Sequence, residues 1–166
     1  MISPNIDPIS IHGWQDSDLG ASIVLNREAE EHINMTSETG DWARDMEGIT
    51  DTFIGSGGQF LLGHQDERLV VMGGFKLVTP TLAEVKRMRV APDLQGKGVG
   101  RWFLSLIEDR ILDSGVADVQ LSTTSRQEGA LRLYAGAGYT ETRREEIDRG
   151  PEKGLILVSF AKSLRS

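Results

Sequence analysis

The 166-residue chain contains no cysteine. Disulfides, thiolate nucleophiles and Cys-ligated metal centres are therefore excluded, and the cytoplasm is the expected compartment. It has no long apolar run and no basic-then-apolar leader, so neither a membrane span nor an export signal is expected. Its three histidines, His12, His32 and His64, lie too far apart in sequence for metal-ligand spacing, and no metal is expected. Basic residues are scarce at the start: residues 1–58 carry eleven acidic and two basic side chains, a balance of −9. Residues 59–166 carry sixteen basic and fourteen acidic ones, a balance of +2. The overall charge of −7 argues against a general nucleic-acid binder. The asymmetry fits a molecule that holds an anionic ligand on its C-terminal part and admits a cationic one past its N-terminal part.

Length and composition fit one domain spanning residues 1–166, with a sizeable core. Residues 9–14 read as a strand, and Asp16, Ser17 and Asp18 offer N-caps for a helix through about Ile33. A second helix is expected from about Asp41 to Ile49. Strands follow at Gln59–Gly63, Leu69–Val78 and Leu82–Val90, joined by links short enough for hairpins. Apolar residues then recur at helical spacing from Val99 to about Leu112, with Gly115 as the stop. A strand at 119–123, a short helix at 127–135 and strands at 139–146 and 155–162 complete the chain. This order implies a mixed sheet with helices on both faces.

Between the third strand of that run and the next helix lies Val90-Ala91-Pro92-Asp93-Leu94-Gln95-Gly96-Lys97-Gly98-Val99-Gly100-Arg101. Three alternating glycines permit torsions closed to other residues. The helix start adds free N–H groups and a positive dipole end, so the stretch can seat a pyrophosphate. An ordinary strand-to-helix turn would read the same way. A Walker A loop needs a hydroxyl after Gly-Lys, and Gly98 stands there. A dinucleotide site needs a Gly-x-x-Gly step and an acid closing the following strand, and both are missing.

Gln95-Gly96-Lys97-Gly98-Val99-Gly100 instead resembles motif A of the GNAT superfamily, the acyl-coenzyme A N-acyltransferases. Ala83–Pro92 looks like that family's fourth strand. Leu131-Arg132-Leu133-Tyr134-Ala135-Gly136-Ala137-Gly138-Tyr139 looks like its motif B, and Phe160–Leu164 resembles its last strand. The likeness spans roughly residues 68–164. It implies an α/β (α+β) fold with a mixed, mostly antiparallel seven-stranded sheet, splayed between strands 4 and 5. It also implies acetyl-CoA as acyl donor and direct transfer to an amine in a ternary complex.

Carried over, main-chain groups of Met88 and Val90 would bind the pantetheine arm. The amides of Gln95, Gly96, Lys97, Gly98, Val99, Gly100 and Arg101 would cradle the pyrophosphate, with the Lys97 and Arg101 charges assisting. A bulge near Arg89 or Val90 would aim an N–H at the thioester oxygen. Tyr134 would protonate the departing thiolate, unless it is a core tyrosine. Glu84 would deprotonate the amine, unless it is a strand residue paired with Lys86 or Lys76. Gln127 could bond the pantetheine, although Gly129 weakens that helix start. The acidic N-terminal region motivates a small cationic acceptor, with a homodimer left open. A non-catalytic acyl-coenzyme A-binding module and a protein or peptide N-acetyltransferase stand as alternatives. Trp14, Trp42 and Trp102 are expected in the core, Trp42 also being near the acceptor.

Overall fold

A computed structural model describes residues 5–32, 48–150 and 152–165. Most of the helix expected over 41–49, with Trp42, lies outside them. Seven strands form one sheet: β1 (Ser10–Gly13), β2 (Gln59–Gln65), β3 (Arg68–Thr79), β4 (Leu82–Val90), β5 (Asp118–Thr124), β6 (Thr140–Glu146) and β7 (Ile156–Ser163). Their spatial order is β1-β2-β3-β4-β5-β7-β6, and only β4 and β5 run parallel. The helices are α1 (Leu19–His32), α2 (Val99–Asp113) and α3 (Glu128–Gly136). A wide turn, Thr50–Ile54, closes through Gly55 N–H donating to the Thr50 carbonyl at 2.8 Å. The mixed sheet with helices on both faces matches the expected architecture.

Each element follows from its residue pattern. In α2, Phe103, Leu104, Ile107 and Ile111 recur on one stripe and are fully buried. Gly98, at φ 85°, sets the turn into this helix. Gly115, at φ 87°, ends it: its N–H donates to Leu112 and that of Val116 to Ile111. In β4, buried Ala83 and Val85 alternate with half-buried Glu84 and Lys86.

The register of β3 on β4 then changes. Gly74 opposes Lys86, yet Met72 opposes Arg89, so β4 carries one extra residue across from Gly73. Arg87 takes φ 62° there, a left-handed value unusual for an arginine. This bulge lies at Arg87–Met88, just before the expected Arg89–Val90. Without it, Arg89 would share a face with Val85. With it, Arg89 joins Glu84 and Lys86 on one face, while Met88 turns to the other. A Cβ on Gly73 would meet Met88 and Phe103 of α2. Arg89 instead bonds Asn26 of α1. The two helices thus cover opposite faces of the sheet.

The α2 side holds a polar knot. Glu108 Oε2 accepts from Tyr139 Oη at 2.9 Å and from Lys162 Nζ at 3.0 Å. Lys162 also donates to the Ala137 carbonyl at 2.8 Å and lies over the Tyr139 ring. Helix α2, the exit of α3 and β7 are joined through one carboxylate oxygen. Burial, with the adjacent Glu108 carboxylate, holds the Tyr139 phenol above its ordinary pKa, so it remains a donor.

At the other end of β4, Arg68 makes a two-pronged bond to Asp93, at 2.7 and 2.9 Å, which ties the Pro92–Leu94 turn to β3. The bond holds the Asp93 carboxyl down to about 2.

Lys162→Met should destabilise the fold by about 2–3 kcal/mol in urea unfolding, because it strands Glu108 with one partner. Tyr139→Phe should cost about 1–2 kcal/mol. Asp93→Asn should cost at most about 1 kcal/mol at pH 7, since both partners are exposed. A depressed carboxylate stabilises above its unfolded pKa, near 3.9, and stops doing so as pH falls through its folded value. The difference between Asp93→Asn and the parent should therefore close between pH 4 and pH 2.

Candidate functional site

β4 and β5 pair over only three residues, Leu82–Glu84 against Asp118–Gln120. Beyond Glu84 they part, and the gap widens toward Val90 and Thr124. The lost partner leaves main-chain groups of β4 pointing into that gap. Ala91 N–H donates to Val70 of β3 at 2.8 Å, so by alternation the N–H and C=O of Val90 face away from β3. Those of Met88 do the same, whereas the Arg89 N–H faces β3. Of the two N–H groups expected to serve an oxygen in the gap, Val90 is therefore the one that points there. The Val90 carbonyl accepts from Gln95 Nε2 at 3.1 Å.

The glycine loop opens at the wide end of the gap. Gly96 and Gly98 take φ 74° and 85°, and a Cβ on either would meet nothing. Among the described residues no group accepts from the amides of Gly96 through Arg101; the series resumes with Trp102 donating to Gly98 at 3.0 Å. Six consecutive free amides at a helix start form an anion cradle. Lys97 is exposed beside it. Nη1 of the exposed Arg101 donates to the Gly136 carbonyl at 2.7 Å, tying α2 to the end of α3. At Gly100 a Cβ would make ordinary contact, 3.4 Å from Leu133 and 3.8 Å from Val90. Gln127 caps α3, which forms despite Gly129, and its own N–H donates to Thr124 at 2.9 Å. Thr123 Oγ1, on the part of β5 that β4 no longer pairs, is buried and without a partner. This donor set suits a long ligand with amides at one end and a diphosphate at the other.

Tyr134 packs its ring against Tyr139 and Phe160, at centroid distances of 6.0 and 5.9 Å. Its side chain is buried, yet its hydroxyl bonds no described residue. Burial pushes the phenol up to about 12, against the pull of the Arg89 charge. It stays protonated at any physiological pH. Glu84 stands at the vertex of the gap, the last residue of β4 paired to β5. Its Oε2 lies 3.8 Å from Lys76 Nζ, directly across the β3–β4 ladder. Tyr134 thus has a core ring, as one of its two sequence alternatives expects, and a hydroxyl with no described partner.

One set of residues escaped the sequence reading. On α1, Ser22, Asn26 and Glu30 are buried polar residues at i, i+4 and i+8, in step with buried Leu25 and Ala29. The helix turns a polar stripe toward β4. The signal was the weak apolar face of a helix that must nonetheless pack on a sheet. His12 and His64, read as without function, stack at 4.9 Å, with His12 Nε2 3.4 Å from Asp18. Trp14 and Trp102 are half-buried and pack against the core.

Residues 24–139 match the Acetyltransferase (GNAT) family. Among curated proteins, N-acetyltransferase 8F1 of Rattus norvegicus is 25% identical over 59% of this chain and 47% of its own length. The [Ribosomal protein bS18]-alanine N-acetyltransferase of Escherichia coli K12 is 27% identical over 66% of this chain and 72% of its own. The chain therefore spans about half the length of the first of these relatives. Among solved structures, that of yncA from Salmonella typhimurium, with its cofactor acetyl-CoA, superposes with a TM-score of 0.74 at 17% identity, covering 95% of each chain. No described helix is long and apolar enough to cross a membrane, and no described cluster of His, Asp and Glu has metal-site geometry. With its parted β4 and β5, its glycine cradle and a match over most of its length, the chain belongs to the GNAT acetyltransferase family.

Proposed function

We propose that this protein transfers the acetyl group of acetyl-CoA directly to a primary amine while both are bound. The observation that carries this reading is the gap between β4 and β5, lined by the outward N–H groups of Met88 and Val90 and opening on the free amides of residues 96–101. Acetyl-CoA supplies an activated thioester carbonyl, and its pantetheine amides and diphosphate suit these donors in that order.

The remaining steps fall to side chains and amides of the chain. The Val90 N–H, with that of Met88 beside it, faces the place where negative charge develops on the carbonyl oxygen. Glu84, at the vertex, takes the ammonium proton through water, since only a neutral amine attacks. Tyr134 donates to the sulfur as it departs. At about 12 its phenol lies some 3–4 pKa units above an ordinary thiol, or about 5 kcal/mol. Its part is therefore hydrogen-bond donation to developing thiolate charge, with full proton transfer left to solvent.

The acceptor is proposed as a small amine arriving as an ammonium cation. The −9 balance of residues 1–58 supports it, as does buried Glu30 on the β4-facing side of α1. A second reading, acetylation of a protein's terminal amine, is favoured by the Escherichia coli relative. Comparing a panel of small amines with N-terminal peptides in a free-thiol assay separates the two.

Tyr134→Phe should bind acetyl-CoA within twofold of the parent by calorimetry and lose about 10- to 100-fold in kcat; undiminished turnover would remove the hydroxyl from the mechanism. Gly98→Val should weaken acetyl-CoA binding at least tenfold while costing only about 1–2 kcal/mol of stability, because it strains a left-handed residue in open space. Tight binding by that variant would move the diphosphate elsewhere.

A further inference from the structure

The bulge in β4 decides which face of the sheet Arg89 takes. Arg89 leaves the sheet on the α1 face, the face it shares with Glu84. Its guanidinium is fixed at two points: Nε donates to Asn26 Oδ1 at 2.7 Å and Nη1 to the Met88 carbonyl at 2.8 Å. Nη2 has no partner among the described residues. Two of the three nitrogens are thus held still, and Nη2 is left to donate. The surroundings carry both signs. Burial and the neighbouring Arg87 charge lower the Arg89 pKa, while Glu30 of α1 and Glu152 of the β6–β7 turn raise it. Tyr134 lies within the same field. An arginine stays charged under such conditions. Charges of both signs, Arg87 from β4 itself and Glu30 and Glu152 from two other elements, therefore act on the Arg89 guanidinium. That is a poor seat for an acceptor bearing positive charge alone, and a good one for a molecule bearing both signs.

Resting on the acetyl-transfer reading above, we propose that Arg89 seats a carboxylate of the acceptor, so that the substrate is an amino acid: an ammonium presented to the Glu84 and Glu30 side, and an acid group held by the Arg89 fork. Asn26 is a positioning residue that keeps the guanidinium from rotating away. The cationic acceptor is thereby narrowed to an ammonium that carries its own anion.

The test compares free α-amino acids with their α-amides, which keep the amine and lose only the carboxylate charge. With acetyl-CoA and a free-thiol readout, the parent protein should show a kcat/KM for the preferred acid about 10- to 100-fold above that of its amide. The acid-to-amide ratio should collapse toward one in Arg89→Met and fall part of the way in Arg89→Lys, which keeps the charge without the fork. Asn26→Ala should raise KM for the acid with little change in kcat. An amide used as well as its acid by the parent would overturn the proposal, and that comparison needs no variant. So would an unchanged ratio in a folded Arg89→Met. Should acetyl-CoA bind while no amine of either kind is acetylated, the acetyl-transfer reading fails instead. Calorimetric binding of acid and amide to the protein with coenzyme A then still decides for or against Arg89: preference for the acid supports it, and equal binding overturns it.

Discussion

The site depends on the brevity of one strand pairing. β4 and β5 exchange hydrogen bonds over three residues and then diverge. A sheet ordinarily satisfies every main-chain group by a neighbour, and unsatisfied groups inside a fold are costly. Here the peptide groups of Met88 and Val90 are aimed into the opening, so a ligand of peptide-like character is the natural complement. The bulge at Arg87 reinforces this twice over. It bends β4 near the divergence, and it changes which side chains look toward α1. Glu84 and Arg89 lie on one face only because an extra residue stands between them.

Two polar arrangements flank this opening, and they serve different ends. On the α2 side, Glu108, Tyr139 and Lys162 satisfy one another and leave no charge in excess. They fix α3, and with it Tyr134, in place. On the α1 side, the stripe of Ser22, Asn26 and Glu30 gives up apolar contact where a helix would normally bury leucines. Ser22 Oγ is buried without a partner.

Much of this was legible in the sequence because it is local. Strand alternation, the stripe of α2, its start after Gly98 and its stop at Gly115 are set by neighbours within a few residues, and the observed limits differ by one or two positions. The glycine cradle was legible for the same reason. The bulge was misplaced because it is a property of register between two strands, and Arg87 carries no mark of its left-handed φ. The bond of Arg101 to Gly136 spans 35 residues and leaves no local mark. The bond of Asn26 to Arg89 spans 63 residues and is visible only once α1 lies on β4. The acidic N-terminal balance was a sum, and a sum does not say that Glu28 and Glu31 face solvent while Glu30 faces the sheet.

At the far edge of the sheet, β6 is exposed along its entire length and, among the described residues, pairs with β7 alone. Such an edge is an open template for another strand, and the usual hazard is a second copy of itself. Its sequence, Glu141-Thr142-Arg143-Arg144-Glu145-Glu146, meets that hazard by its own symmetry. In an antiparallel pairing centred on Arg143, arginine faces arginine and Glu141 faces Glu145. Centred one half-step further, Arg143 faces Arg144 and Glu141 faces Glu146. Like charges oppose in both. Within one molecule the same residues form ion pairs, Arg143 with Glu145 at 2.8 Å and Arg144 with Glu141. Charges already paired within the strand leave a second copy little to gain in these registers, so the ion pairs that satisfy β6 also make it a poor template for its twin.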